Sequence, residues 1–217
     1  MPAQSDTELV DWNGWTLRVR RSSARSARLL LLIHGWTGDE NSMWVFVRNF
    51  APEYWIVSPR ARHVAQPRGY SWRPRQPGRR EPPELEDFRP AARDLMALAD
   101  SYCQANGLAV PLDAIGFSQG AAVCNTIAFL YPANVGRVGV LAGFVPTGGQ
   151  GFASGSPLAG KSFFVAHGTL DETVKVEYAR QSVELLERAG ASVTFCEDDV
   201  GHRLSAGCLR GLEAFFA

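Results

Sequence analysis

No long apolar run occurs in this sequence. The longest obvious aliphatic stretch, Leu29 to Ile33, is far below the roughly 20 residues that a membrane-spanning helix needs. No charge of one sign is in excess either. Lys+Arg and Asp+Glu both count 22, which removes the broad electrostatic argument for a nucleic acid or a membrane as partner. The stretch Met1 to Val10 lacks a basic segment followed by an apolar one, so no secretory leader is expected. Cysteine is scarce: Cys103, Cys124, Cys196 and Cys208 form no C-x-x-C. They read as buried free thiols of a reducing compartment and point to the cytoplasm. G-x-x-x-x-G-K-[ST], G-x-G-x-x-G and H-E-x-x-H are all missing, and no two histidines have metal-ligand spacing. Nucleotide, dinucleotide and metal chemistry therefore have no motif to stand on.

What is present is alternation. Short apolar runs that suit strands are Thr16–Arg20, Leu29–Ile33, Trp55–Ser58, Leu112–Phe117, Val138–Ala142, Ser162–Ala166 and Val193–Cys196. Several are continuously apolar, as parallel strands buried on both faces are. Longer amphipathic stretches predict helices over Glu40–Phe50, Asp87–Ala105, Gln119–Tyr131, Val174–Ala189 and Leu204–Phe216. Strands alternating with helices predict an α/β domain with a mostly parallel central sheet and helices on both faces. At 217 residues, without an internal repeat or linker, residues 1–217 read as one domain. Ligands of such sheets bind at the carboxyl ends of the strands.

One motif stands in the right context. Gly116-Phe117-Ser118-Gln119-Gly120 is a G-x-S-x-G between a predicted strand and a predicted helix. In a nucleophile elbow the serine occupies a strained turn from strand to helix, and the residues two before and two after must be small because the two backbones crowd there. The turn lifts the serine hydroxyl above the sheet and aims the first N–H groups of the helix at the space before it.

A serine hydroxyl needs a base. Of four histidines, His34 and His167 each precede a glycine at a strand end and read as structural, and His63 lies in an arginine-rich stretch. His202 follows the last predicted strand, where α/β-hydrolases carry their base in the chain order Ser, acid, His. Asp171, after the next-to-last strand, is placed to orient that imidazole. Glu172 points elsewhere, and Asp198 and Asp199 share the loop of His202 and cannot reach behind its ring. Two N–H donors are needed for an oxyanion. These are expected from Gln119, the residue after the serine, and from Trp36 in the glycine-bounded turn His34-Gly35-Trp36-Thr37-Gly38. The alternative for Trp36 is a core aromatic under that loop.

Pro59 to Pro83 breaks the pattern. It holds Arg60, Arg62, Arg68, Arg73, Arg75, Arg79 and Arg80 among six prolines, a density that forbids a helix or a central strand. Tyr70 and Trp72 inside it are expected to form one wall of a substrate pocket; the alternative is a solvated loop anchored by two aromatics. The arginines raise the idea of an anionic acyl donor. The run Thr147 to Gly160 is expected to be a surface loop.

With these residues assembled, the chain resembles the carboxylesterase/phospholipase family of small serine esterases, the group that includes acyl-protein thioesterases. Leu32-Ile33-His34-Gly35-Trp36-Thr37-Gly38, Gly116-Phe117-Ser118-Gln119-Gly120, Ala142-Gly143-Phe144-Val145-Pro146, His167-Gly168-Thr169-Leu170-Asp171 and Gly201-His202 carry the likeness. It implies an α/β-hydrolase fold with no large lid domain, hydrolysis of esters or thioesters of small to medium acyl chains, no cofactor, and Phe144 and Val145 along the acyl pocket. The chain departs from the family pattern at Ala142, where serine is usual, at Val174-Lys175, where a proline commonly follows, and in the arginine-rich loop. An acyltransferase or peptidase with the same triad, and a non-catalytic binding module on the same fold, are the rival expectations. A small-molecule substrate, no stable membrane association, and a monomer or homodimer complete the expectation.

Overall fold

The structure, a computed structural model, describes residues 7–24, 26–74 and 82–217. Expectations that fall on residues 1–6, and on Arg75, Pro77, Arg79 and Arg80 of the proline-rich stretch, lie outside the described residues.

The aliphatic run forms strand β3 (Arg28–Ile33) at the middle of an eight-stranded sheet. Its side chains alternate across the sheet. Leu29, Leu31 and Ile33 enter one apolar cluster, and Leu30 and Leu32 enter another on the opposite face. Around it stand β1 (Glu8–Trp12), β2 (Trp15–Arg20), β4 (Tyr54–Pro59), β7 (Ala109–Phe117), β8 (Val135–Leu141), β9 (Ser162–Gly168) and β10 (Ser192–Asp198). The order is β1-β2-β4-β3-β7-β8-β9-β10, parallel from β4 through β10, with β2 antiparallel to both of its neighbours. A two-stranded ribbon, β5 (His63–Val64) with β6 (Tyr70–Ser71), lies apart from the main sheet.

Helices α1 (Leu85–Asn106), α2 (Gln119–Leu130) and α3 (Val176–Arg188) contribute to the first cluster, and α4 (Ala206–Phe216) to the second. This is the α/β-hydrolase arrangement, and no large lid is present among the described residues. Gly107 ends α1 at φ 64°, the left-handed backbone that favours glycine. Among the described residues, no helix is long and apolar enough to cross a membrane.

Three expectations are corrected. The helix expected over Glu40–Phe50 is a series of turns with a short 3-10 segment at Trp44–Phe46. Its backbone bonds span three residues, as from Phe46 N–H to Met43 O and from Phe50 N–H to Val47 O. Asp39 Oδ1 accepts from Asn41 N–H and the Ser42 hydroxyl, giving the chain a local alternative to helix. The strand β1 was not expected at all; it pairs with β2 through Asn13-Gly14, both at positive φ. The third correction concerns the thiols: Cys196 and Cys208 form a disulfide, while Cys103 and Cys124 are free and buried. With one pair bonded, the cysteines no longer point to a reducing compartment.

Candidate functional site

The turn after β7 is sterically extreme. Ser118 sits at φ 52°, ψ −115°, a conformation that costs a non-glycine residue on the order of 1–3 kcal/mol and persists only where its surroundings impose it. The crowding that imposes it is direct. A Cβ on Gly116 would stand 2.3 Å from Gly120 O, and one on Gly120 would stand 2.0 Å from Ile33 O. The Ser118 N–H is fixed to Leu141 O at 2.8 Å. Gln119 opens α2, where an N–H has no acceptor within the helix.

The early loop comes close to the serine. A Cβ on Gly35 would lie 3.4 Å from the Ser118 Cβ, so this loop abuts the serine. Trp36 is 59% exposed, which rules out the core-aromatic alternative, and its N–H makes no backbone hydrogen bond among the described residues. The loop is braced from below. His34, fully buried, accepts the Ala61 N–H at Nε2 and donates from Nδ1 to Gly35 O. Burial pushes the His34 pKa down from its ordinary value. Glu40, also buried, takes a two-pronged bond from Arg60 at 2.7 and 2.8 Å, which holds its carboxyl below the usual range.

His202 lies on the loop between β10 and α4. Its Nδ1 is 2.6 Å from Asp171 Oδ2, and its ring packs 5.0 Å from Phe117 between centroids. Nε2 has no partner among the described residues. Asp171 is buried, and its Oδ1 accepts the N–H groups of Thr173 and Val174 at 2.9 Å each. Glu172 is exposed, as expected. Asp199 accepts from the Thr169 hydroxyl, and Asp198 is tied to Ser205 and the Asp199 N–H. His167 closes its strand by a 2.7 Å bond to Val174 O. So Asp171 meets His202, and the loop that carries Trp36 abuts Ser118 at Gly35. No hydrogen bond links Ser118 to His202 here, a link that apo sites often leave long.

The expected pocket wall is corrected in part. Trp72 is 3% exposed and donates from its indole N–H to His34 O at 2.7 Å, so it is an anchor under the early loop and not a wall. Tyr70 is half-buried, and its backbone exchanges bonds with Thr37 N–H and Gly38 O. Gly69 passes so close that a Cβ would stand 2.0 Å from Thr37 O. Phe144 and Val145 follow β8 beside the elbow, where a Cβ on Gly143 would lie 3.1 Å from Ser118 O. Both are half-buried, with Phe144 6.3 Å from Tyr178 between ring centroids. The described arginines of the proline-rich stretch mostly face the protein: Arg60 meets Glu40, Arg62 lies over Trp15 and Arg73 over Phe88. The Gln119 side chain was overlooked. Its Oε1 accepts the Trp72 N–H at 2.9 Å and its Nε2 reaches the Ser71 hydroxyl at 3.1 Å, fastening the proline-rich loop to the elbow.

The model of the phospholipase/carboxylesterase family matches residues 16–217. The chain belongs to that family. A probable carboxylesterase from Oryza sativa subsp. japonica is 33% identical over 102 residues, a match spanning 46% of this chain and 38% of the rice protein. Among solved structures, the Bacillus cereus carboxylesterase superposes with a TM-score of 0.81 at 24% identity, covering 94% of each chain. A carboxylesterase from Mesorhizobium loti superposes at 0.80 with 23% identity, covering 97% of this chain and 98% of its own. At these identities the two likenesses establish the family's fold.

Proposed function

We propose that this chain hydrolyses carboxylic esters or thioesters of small to medium acyl chains through a Ser118-His202-Asp171 triad and an acyl-enzyme. The observation that carries the proposal is the strained Ser118 backbone next to Phe117, whose ring packs on an imidazole with its Nδ1 already taken by a buried carboxylate. With Nδ1–H donated to Asp171, Nε2 is left as a base, and it takes the Ser118 proton as the hydroxyl attacks the acyl carbon. The Trp36 and Gln119 N–H groups receive the oxyanion. The imidazolium then returns its proton to the leaving alcohol or thiol, and water repeats the sequence to free the acid. Phe144 and Val145, beside the elbow, are assigned to the acyl side. No cofactor takes part in this scheme.

Hydrolysis of p-nitrophenyl esters from acetate to palmitate, wild type beside Ser118→Ala, tests it. Turnover by wild type alone is expected, and the chain-length profile then sizes the acyl site. Equal turnover by the pure alanine variant would remove Ser118 from the chemistry. If neither turns over and a fluorophosphonate labels nothing, a binding module takes the place of the enzyme.

A further inference from the structure

Cys196 and Cys208, twelve residues apart, bracket the loop that carries His202. Cys196 lies near the end of β10 and Cys208 in the first turn of α4, and their Cα atoms are 5.7 Å apart. The entry half of the loop is held by backbone bonds from Thr169 N–H to Asp198 O and from Leu170 N–H to Val200 O. It also rests on Gly168, where a Cβ would meet Val200 O at 2.1 Å. The exit half is held differently. Beyond the Arg203 N–H to Gly201 O turn, it is held by Leu204, which packs against the apolar cluster of Leu30 and Leu32, by Ser205, which caps Cys208 N–H and bonds Asp198, and by the disulfide itself. The covalent bond thus fixes the first turn of α4 against β10, and with it the far end of the segment on which the imidazole rides.

We propose that the Cys196–Cys208 disulfide positions His202, and that a dithiol reductant slows turnover by releasing the exit half of this loop. The proposal rests on His202 being the base. The exchange is balanced. A reductant thiolate attacks the half-buried Cys196 sulfur, the buried Cys208 sulfur leaves as a thiolate and takes a proton, and the second reductant thiol displaces Cys196 and closes its own disulfide. Oxidised glutathione reverses it, releasing two glutathione thiols. A base must stand within about 2.6–3.2 Å of the proton it takes, so a small drift of the loop acts on the chemical step and leaves acyl-chain contacts alone.

The test uses the full chain. Alkylation under denaturing conditions should label two thiols before reduction and four after, because Cys103 and Cys124 are the free pair; four before reduction overturns the proposal. Dithiothreitol should lower kcat between about 10-fold and 100-fold, the scale expected of a misplacement near 1 Å. KM should stay within about twofold, the pattern of a group needed in the transition state rather than in binding. Amide exchange over residues 199–205 should rise, and oxidised glutathione should restore both readouts. Cys196→Ser/Cys208→Ser should be slow with or without reductant. An unchanged kcat after complete reduction overturns the proposal, as does a kcat that falls only together with the far-UV circular dichroism. His202→Ala with the disulfide intact separates the two claims. If that variant turns over, the base assignment fails, whereas the thiol count and exchange data still report on the tether.

Discussion

Two buried aspartates on this sheet do opposite things. Asp113, at the middle of β7, is fully enclosed and closed off by partners. It takes Arg28 at 2.8 Å, the Tyr54 hydroxyl at 2.9 Å, the Arg137 N–H at 2.7 Å and the Arg137 guanidinium at 3.4 Å. Asp171, past the end of β9, is almost as deeply buried but meets no arginine or lysine. Two backbone N–H groups hold one oxygen, and the other lies 2.6 Å from the His202 imidazole and 3.4 Å from His167 Nε2, which is already bonded to Val174 O. The first carboxylate is neutralised where it stands, so its charge does nothing further. The second keeps its charge directed at a ring that, in the proposed mechanism, becomes cationic during turnover. Burial alone therefore does not mark a functional acid; the identity of its partners does.

The largest effect that separates the two is expected at Asp171. Asp171→Asn presents an NH2 group to His202 Nδ1, which forces the proton onto Nε2 and leaves the ring unable to take one from Ser118. We expect kcat to fall by roughly 10³ to 10⁴, with the urea midpoint nearly unchanged. A loss below about tenfold would break the comparison, because Asp171 would then be as structural as Asp113.

The same substitution at Asp113 should do the reverse. Asp113→Asn leaves Arg137 and Tyr54 facing a neutral amide at a position whose own side chain is closed to water. Removing one partner of a buried ion pair costs about 3–5 kcal/mol, and the half-exposed Arg28 places this site toward the lower end. Activity per folded molecule should hold. Denaturant titration beside active-site-titrated turnover reads both, and a variant that stays stable while losing kcat would erase the contrast.

How much of this was legible follows from what fixes each part. Ser118 and its glycines were readable because close backbone approach leaves only one residue type at positions 116 and 120. The central strands were readable because burial on both faces demands a continuous apolar run, as in Leu29 to Ile33. Asp171 and His202 were readable from chain order. The β1–β2 hairpin carried an Asn13-Gly14 turn, the strongest short-range hairpin signal. It was overlooked because the mostly exposed Glu8–Trp12 edge shows little apolar alternation. Met43, Val47 and Phe50 are buried at helical spacing in a segment that makes turns, so periodicity reported burial and not backbone. Trp72 and the Cys196–Cys208 pair depend on which elements the fold brings side by side, a relation that no local pattern contains.

The smallest effect concerns a third buried ionisable group, His34, and it sharpens the contrast from the neutral side. His34 accepts at Nε2 and donates at Nδ1, an arrangement that only the neutral ring provides; a second proton would set two N–H groups against each other at Ala61. Burial holds its pKa below the ordinary 6.5. Just below that value the unfolded chain binds a proton that the folded chain refuses, so stability is complete above it and falls as the pH drops toward the folded value. One proton gives a slope of at most about 1.4 kcal/mol per pH unit. Urea unfolding at steps from pH 7.5 to 5 should show this slope, and His34→Gln should flatten it at some overall loss of stability. An identical slope in the variant would assign the acid sensitivity elsewhere. Because His34 braces the turn that carries Trp36, the acid loss at this residue should loosen the proposed oxyanion side of the site while leaving the Asp171–His202 contact in place. In that respect an imidazole buried without a carboxylate partner behaves as the structural counterpart of the one that has such a partner.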